Sequence, residues 1–574
     1  MKNRVSYDLV LFAILAVLAF LPMLQGRLQW VPLKPLNGVT EELEKPKFSL
    51  ESYLSGDYTR QTEAYTSQHF GLREPIIRLY NQYLWSCYRK TYAHDVTAGK
   101  KGWLFYPQSV NDYYGKELLK WHPSVVEARK SFDHEVKYLN WTRNILKENG
   151  VELLFFMAPE KSFLYPEYLP DRKKDTTTFN ACDYFAQRFK ETDFPCIEMT
   201  RWFQQMKDTV DYPLIPQAGA HWIFSSVYAV DSLSHLMGEL KGITLPKIKI
   251  CETYESRDHD FDNDLELLLN LAFPLRHSFG YAPRAKVSVE CDSTSVKPKV
   301  LFIGNSYFWS MRLFTPFPEM FEKTEFWYYF STAYSGDSLT HTENVNDLDL
   351  VEKLLDFDYV VWFTTGNQMN KGTSEFAERA LLNLCFDKER IVEVHNQLID
   401  SLMCDSLTLM ILDEPVTDSN FRLMLWPIAD QLIHNHPERY FPELASDSVP
   451  KARNSRIKEI LAIKEIKKDS LWMWKLSACQ TVIQNAPLDQ VLLMEAHNII
   501  DGKPLLRDMP DVEAKRDRVG QLVAEMIQEI RNNPYLMLQI QEKTQKTGLS
   551  LEEQIVTDAR WMVHYQINNG ITAF

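Results

Sequence analysis

Residues Leu9 to Leu24 read LVLFAILAVLAFLPML, a run without a single charged or hydrogen-bonding side chain. Such a stretch must be covered by protein or by lipid, and Lys2 and Arg4 before it and Arg27 after it favour lipid. It falls slightly short of the roughly 20 residues of a full span, and Val5, Tyr7 and the residues after Leu24 extend it through the interface. Pro22 lies near the exit end, where a missing backbone donor costs least. The next residues, Gln25, Gly26 and Arg27, offer no small-x-small cleavage pattern, so the expectation is an uncleaved anchor over residues 1–31. Lys2 and Arg4 outweigh Asp8, which places the N-terminus in the cytoplasm and the main body on the periplasmic or extracytoplasmic side of the cytoplasmic membrane. Residues 32–49, rich in Pro, Lys and Glu and without periodicity, read as a linker.

A chain of 574 residues, 45% hydrophobic, has material for more than one core. Its net charge of -14 argues against nucleic acid as a partner, because tracking a phosphate backbone needs clustered Lys and Arg. The 14 Trp and 27 Tyr suit stacking on sugar rings and suit large cores equally. Eight cysteines lie at 87, 182, 196, 251, 291, 385, 404 and 479 with no CxxC and no zinc spacing. Cys182 and Cys196 are a candidate pair in an oxidising compartment. No cofactor and no metal are expected.

From residue 50 the pattern changes. Tyr65 to Cys87 carries Phe70, Leu72, Ile76, Ile77, Leu79 and Tyr80 at a density that predicts a short amphipathic helix. KGWLFYP at 101–107 reads as a glycine-led turn entering a strand, and residues 123–149 as a helix stopped by Gly150. Three short apolar runs of buried-strand type follow: VELLFFM at 151–157, VLFI at 300–303 and YVVWF at 359–363. Helical stretches separate them, notably 219–239 and 348–356. Strands apolar on both sides and alternating with helices predict an α/β domain over residues 50–398, a mostly parallel sheet flanked by helices. Ligands of such sheets gather at the carboxyl ends of strands.

Residues 399–574 read as a helical C-terminal region. Within it IKEIKKDSLWMWKLSACQ at 463–480 parallels IQEIRNNPYLMLQIQEKT at 527–544, and APLDQVLLMEAHNII at 486–500 parallels GLSLEEQIVTDARWM at 548–562. Two related hairpin units near 463–500 and 527–564 are expected, each a helix, a polar turn and a second helix beginning near Leu488 or Ser550. Ser550 with Glu553 fits a capping box. No catalytic group repeats between the units, so docking or structural support is the expected role.

Chemistry concentrates in two places. In LFIGNSYFW at 301–309 a buried strand ends at Ile303, Gly304 allows a tight turn, and Ser306 is presented at the sheet's carboxyl end as a helix begins. Backbone N–H groups of that turn point where an oxyanion would form. Ser306 could equally be a turn or helix-cap serine. In GAHWIFSSVYAV at 219–230, His221 lies near a helix start and Trp222 offers an indole to wedge beneath a site. A neutral histidine within reach would make the serine a nucleophile, although the two stand 85 positions apart. Asn367 in GNQ at 366–368 is a candidate oxyanion donor, or an asparagine serving its own backbone. Lys161 reads as a salt-bridge partner at the end of the first strand. The acidic HDFDND at 259–264 does not match a calcium loop and reads as solvated.

QHFGLR at 68–73, GWLFYP at 102–107, APEKSFLYPEYLP at 158–170, IPQAGAHW at 215–222 and IGNS at 303–306 together resemble the SGNH-hydrolase-like proteins of the alginate O-acetyltransferase type, over roughly residues 50–395. The resemblance implies an SGNH-hydrolase-like fold in a membrane-anchored or periplasmic protein that moves acetyl groups onto an extracytoplasmic polysaccharide. It also implies a multispanning membrane acyltransferase as partner. The family's histidine base maps to His221, its tryptophan to Trp222 and its serine nucleophile to Ser306. Its aspartate, two residues before the histidine, maps to Gly219, so the usual orienting acid is missing. Asp208, Asp211 and Asp231 are near in sequence, and none is assigned the role.

Two functions follow as expectations. One is a serine-dependent O-acyltransferase, with acetyl as the acyl group, or an acyl esterase acting on a cell-envelope polysaccharide; Ser306 and His221 are catalytic, with Gly304, Asn367 and Trp222 as oxyanion or substrate contacts. The other, motivated by Gly219, is a noncatalytic glycan-binding or scaffold component of an envelope acylation complex.

Overall fold

The computed structural model describes residues 7–38, 42–256, 262–275, 282–404, 418–446, 448, 450, 454–482, 487–508, 510–547 and 549–568. Residues 1–6, with Lys2 and Arg4, and residues 259–261 of the acidic patch lie outside them, as does the side chain of Cys479. The chain divides into two units, Met1–Asn140 with Glu152–Asp347 and Tyr359–Phe376, and Trp141–Val151 with Leu348–Asp358 and Ala377–Phe574.

In the first unit the strands, in chain order, are β1 (Thr97–Ala98), β2 (Leu104–Phe105), β3 (Glu152–Ala158), β4 (Cys196–Glu198), β5 (Lys247–Ser256), β6 (Ala282–Glu290), β7 (Lys299–Gly304), β8 (Lys323–Tyr328), β9 (Thr332–Ser335), β10 (His341–Asn344) and β11 (Tyr359–Thr365). Seven of them form one sheet in the order β10-β9-β8-β7-β11-β3-β4. The five from β8 to β4 run parallel, and β9 and β10 close one edge antiparallel. Every residue of β3 and β11 is buried, as a strand covered on both faces demands. Phe156 of β3 stacks on Phe363 of β11 at 5.1 Å between centroids. Truncating either ring to alanine is expected to cost about 3–5 kcal/mol. KGWLFYP contributes only the two-residue strand β2, paired with β1.

β11 is last in sequence and lies between β3 and β7, so the three expected strands sit side by side with carboxyl ends on one edge. β5 and β6 form a separate antiparallel ribbon with largely exposed side chains. The excursion between them holds a five-residue helix, Asp264–Leu268.

Several helices differ in extent from the expectation. The stretch expected to be helical from 219 is helical only over Ser226–Lys241; residues 219–225 form turns, and Trp222 is buried beneath them. The helix expected over Tyr65 to Cys87 is divided into Asp57–Gln68 and Arg73–Tyr88. Tyr7–Leu28 is a continuous helix whose Leu9–Leu28 segment, of mean hydropathy 2.4, is long and apolar enough to cross a membrane. Cys182 and Cys196 carry free thiols, and burial pushes both thiol pKa values up.

The second unit contains helices and no strand among the described residues. Its related segments are each three helices rather than two: Arg456–Lys468, Ser470–Val482 and Leu488–Asp501, then Pro510–Asn532, Pro534–Thr547 and Leu551–Asn568. The stretch expected as the first helix of each unit is broken and restarted at a capping residue. Asp469 Oδ1 accepts from the backbone N–H of Leu471 and Trp472, and Asn533 Oδ1, at the equivalent position, accepts from Tyr535 and Leu536. Ile466 and Leu476 in one small core correspond to Ile530 and Ile540 in the other. The Ser550–Glu553 capping box is formed, with Ser550 N donating to Glu553 Oε2 at 2.9 Å.

Candidate active site

β3, β7 and β11 each end at a cavity of about 170 Å³. Glu160 and Lys161 follow β3, Asn305 and Ser306 follow β7, and Thr365 ends β11 just before Asn367. Gly304, the last residue of β7, is obligatory for this convergence, because a Cβ there would overlap the Phe363 carbonyl of the neighbouring strand. Its carbonyl accepts from Tyr329 N at 2.7 Å, so Gly304 acts as strand packing and lies below the cavity.

Ser306 occupies the N-cap position of the helix Tyr307–Phe314, and its side chain makes no capping hydrogen bond. The hydroxyl lies instead 2.7 Å from His221 Nε2. On the other side of the ring, His221 Nδ1 lies 2.5 Å from Asp264 Oδ2. With the proton on Nδ1, the ring donates to the carboxylate and keeps Nε2 as the acceptor facing Ser306. An aspartate, a histidine and a serine from three distant stretches of chain thus form one continuous array.

The acid absent at Gly219 is supplied 43 residues after the histidine. Asp264 Oδ1 accepts from the backbone N–H of Ala220 at 2.8 Å and of Leu265 at 3.0 Å, which spends the second oxygen and holds the carboxylate plane. Burial pushes the Asp264 pKa up, but the hydrogen bond and charge of His221, the Ala220 N–H and the nearby Lys161 charge outweigh it and hold the carboxyl below its ordinary range. Gly219 and Asp264 are sterically linked. A Cβ at position 219 would stand 2.9 Å from Asp264 Oδ1 and 2.9 Å from the Asp262 carbonyl. The acidic stretch is therefore no solvated loop where it is described, since Asp262 is itself buried against Arg284 at 3.1 Å.

Two locks join the histidine turn to the serine turn. Trp222 Nε1 donates to the Tyr307 carbonyl at 3.0 Å, and Tyr307 Oη donates to the Ala220 carbonyl at 2.5 Å. Trp222 is 1% exposed and packs on Phe363 and Tyr307, so it supports the site from below and is not a substrate contact.

Among the described residues Lys161 forms no salt bridge at hydrogen-bond distance. It is buried, and its Nζ lies 2.6 Å from the Leu104 and Pro216 carbonyls, 3.1 Å from that of Gln217 and 2.5 Å from that of Gly219. One ammonium thus gathers the carbonyls of the turn that carries His221. Burial pulls its pKa down to about 7 against the opposing charge of Asp264.

Asn367 lines the cavity beside Gln368 and Ser109. Its Oδ1 accepts from Thr365 Oγ1 at 2.8 Å, and Thr365 Oγ1 accepts from Asn305 Nδ2 at 3.0 Å. With its oxygen so occupied, the side-chain amide of Asn367 has only its N–H₂ end to offer an oxyanion. Its backbone N–H donates to Glu160 Oε2 at 3.1 Å, and burial raises the Glu160 carboxyl pKa.

Tyr329 completes the wall, and no sequence pattern marks it. It and Phe330 both have positive φ, 49° and 52°, in the turn between β8 and β9, a strained conformation for aromatic residues. The turn brings the ring to the cavity beside Ser306, and burial raises the phenol pKa.

Comparison with known proteins reaches part of this architecture. Residues 96–215 match the family described as SGNH hydrolase-like domain, acetyltransferase AlgX. No curated protein is similar to the chain at a significant level. Among solved structures, the O-acetyltransferase domain of Pseudomonas putida AlgJ is 15% identical, with 48% of this chain and 92% of that chain covered and a TM-score of 0.32. Pseudomonas aeruginosa AlgX is 12% identical, with 50% and 67% covered and a TM-score of 0.33. Bacillus cereus PatB1 is 12% identical, with 49% and 99% covered and a TM-score of 0.29. The matched segment carries Lys161 and ends before His221, so the chemistry of Ser306, His221 and Asp264 rests on their own geometry.

Proposed function

We propose, from an SGNH hydrolase-like domain similar to acetyltransferase AlgX over residues 96–215, that this chain is a serine-dependent O-acyltransferase of an extracytoplasmic polysaccharide, with acetyl as the acyl group. The observation that carries the reading is the single imidazole held 2.7 Å from Ser306 Oγ and 2.5 Å from the Asp264 carboxylate.

His221 Nε2 takes the Ser306 proton as Oγ bonds to the acyl carbonyl carbon, and Asp264 steadies the imidazolium that results. The carbonyl oxygen becomes an oxyanion within reach of the turn's N–H groups and the Asn367 amide. On collapse, the bond to the donor's leaving oxygen breaks, that oxygen receives the proton from Nε2, and Ser306 keeps the acyl group as an ester. A sugar hydroxyl then gives its proton to Nε2 and attacks the ester; the acyl group leaves on the sugar and the proton returns to Ser306. Water in place of the sugar gives esterase chemistry. The small cavity suits a short acyl chain, and its polar walls suit an ester and a hydroxyl.

In this reading the helix Tyr7–Leu28 anchors the protein in the cytoplasmic membrane with the α/β domain outside, and a multispanning acyltransferase presents the acyl donor. Asp264 removes the motive for a noncatalytic role, because the acid missing at Gly219 is replaced in space. Incubation of the full chain with an activated acetyl ester should add one acetyl group to the peptide containing Ser306, found by mass spectrometry. Ser306→Ala should abolish the label and His221→Ala should slow it. Labelling of other residues at the same rate in Ser306→Ala would refute the assignment.

A further inference from the structure

The helix Arg73–Tyr88 is built inside out. Its inward face presents Glu74, Arg78 and Asn81 together with the buried Trp85, whereas Ile76, Leu79, Tyr80 and Tyr83 point outward, each between 49% and 59% exposed. These four lie at helical spacing within one stripe, which is continued by the exposed Cys87. Arg78 and Asn81 of that inward face are engaged with the rest of the protein. Arg78 donates to the Lys34 carbonyl at 2.9 Å and the Pro35 carbonyl at 2.8 Å, and Asn81 Nδ2 donates to the Leu269 carbonyl at 2.9 Å. The apolar stripe is therefore no packing accident, since the opposite face is what docks on the protein.

We propose that this stripe rests on the lipid bilayer, at the boundary of headgroups and acyl chains, beside the exit of the N-terminal helix. The inference rests on reading Tyr7–Leu28 as a membrane span. Five residues lie between Leu28 and Lys34, and an extended chain over those six steps reaches no more than about 22 Å. Because Arg78 grips Lys34 and Pro35, the helix is confined to the interfacial zone next to the span. Its composition matches that zone. Tyr80 and Tyr83 offer amphipathic rings of the kind enriched at membrane surfaces, and the exposed Trp30 and Val31 lie between the span and the clamp. Besides Arg78, which is turned inward, residues 73–90 carry Arg73, Arg89 and Lys90 against the single acid Glu74, in a chain of net charge -14. A basic helix with an aromatic and aliphatic face is suited to an anionic lipid surface. Docked so, the helix sets the sheet domain at a fixed height over the membrane.

The full chain, reconstituted in vesicles of phosphatidylethanolamine and phosphatidylglycerol containing a diazirine-bearing phospholipid, tests this by photolabelling and peptide mass spectrometry. Label is expected both on the Tyr7–Leu28 peptide and on the peptide with Leu79 to Tyr83. The double substitution Leu79→Ser and Tyr83→Ser, at exposed positions, should lower the second label at least about fivefold. It should leave the first label and the acetylation of Ser306 unchanged. Label on the N-terminal helix with none on Arg73–Tyr88 overturns the proposal while the anchor reading stands, and crosslinking of that stripe to a membrane protein in native membranes overturns it in favour of a protein partner. Absence of label from both peptides overturns the anchor reading as well.

Discussion

His221 and Asp264 face each other at 2.5 Å, yet they come from stretches of opposite kind. The histidine turn is bounded by the buried Ile215 and Trp222, and its carbonyls at Pro216, Gln217 and Gly219 are gathered by one buried lysine. The aspartate arrives on an excursion from an exposed two-stranded ribbon, at the start of a five-residue helix. That helix is steadied by its far end: Asn270 Oδ1 accepts from Asn37 N at 2.7 Å, Asn270 Nδ2 donates to the Asn37 carbonyl at 3.0 Å, and Asn37 Nδ2 donates to Leu267 O at 3.0 Å. The base is thus fixed by the core, and the acid is held against it by the Ala220 N–H on Asp264 Oδ1, by the Glu266 N–H on the Ala218 carbonyl at 3.1 Å and by the burial of Leu265 and Leu269, while the linker that follows the N-terminal helix ties down the far end of its helix. The proposed chemistry needs a carboxylate at Nδ1, and in this chain it comes from position 264 and not from position 219. Because a Cβ at 219 would collide with Asp264 Oδ1, the two possible addresses exclude each other.

Breaking the core-held half has the largest expected effect. His221→Ala should lower the rate of Ser306 acetylation at least about 10³-fold, read from single-turnover labelling with an activated ester. Breaking the acid's half comes next. Asp264→Asn keeps the shape and loses the charge and the tautomer control, which should cost about 10²- to 10⁴-fold in the same assay. A loss below threefold would show that the acid is dispensable and that a serine–histidine dyad suffices. The comparison is sharpened by moving the acid. Gly219→Asp combined with Asp264→Ala should regain about tenfold over Asp264→Ala alone, whereas Gly219→Asp by itself should be less active than the parent because two carboxylates then compete for one space. Failure of the double variant to exceed Asp264→Ala would mean that the turn cannot aim a carboxylate from position 219.

The same contrast explains what could be read from the sequence. ELLFFMA, KVLFIG and YVVWFTT are apolar without alternation, and burial on both faces follows directly from that, so the sheet's centre was legible. Ser306 and His221 were legible because a glycine-bracketed strand end and a Gly-x-His-Trp turn are local signals. Asp264 was not. It sits among acidic residues that look solvated, and the ribbon's path, the bonds to the Ala218–Ala220 turn and the bonds to Asn37 that carry it to His221 are all made by residues distant in sequence. Lys161 was visible as a buried-end cation, but four backbone carbonyls as its partners leave no trace in the sequence. The density of apolar residues over Tyr65 to Cys87 also predicted an amphipathic helix without revealing that Ile76, Leu79 and Tyr80 face outward, since such a pattern says nothing about what covers a face. In the C-terminal repeats the register of 64 residues was legible in the parallel stretches, whereas the caps Asp469 and Asn533 that divide what reads as one helix in each unit were not.

A smaller effect is expected from the linker's grip on the acid. Asn270 has a φ of 47°, so Asn270→Gly keeps the backbone conformation and removes only the amide that pairs with Asn37. The acetylation rate should fall about threefold to tenfold with KM for the ester unchanged, because the loss acts on the orientation of Asp264 and not on binding. Asn270→Asp keeps one acceptor for Asn37 N and should recover part of the rate. An unchanged rate in Asn270→Gly would release the linker from any part in placing the acid.

The smallest effect is on stability and carries a definite sign. The Asp264 carboxyl is held below its ordinary range in the folded chain, so its ionised form favours folding. That contribution is fully present above the unfolded carboxyl value of about 3.9 and is lost as pH falls below it towards the folded value. Asp264→Asn lacks the contribution at every pH. The parent should therefore melt above the variant at about pH 5, and the gap should narrow as pH falls below about 3.9, followed by thermal unfolding of both proteins in parallel. A gap that stays constant to pH 3 would mean that the hydrogen bonds to Ala220 and Leu265 survive protonation, and that the charge of Asp264 serves His221 without contributing to the fold.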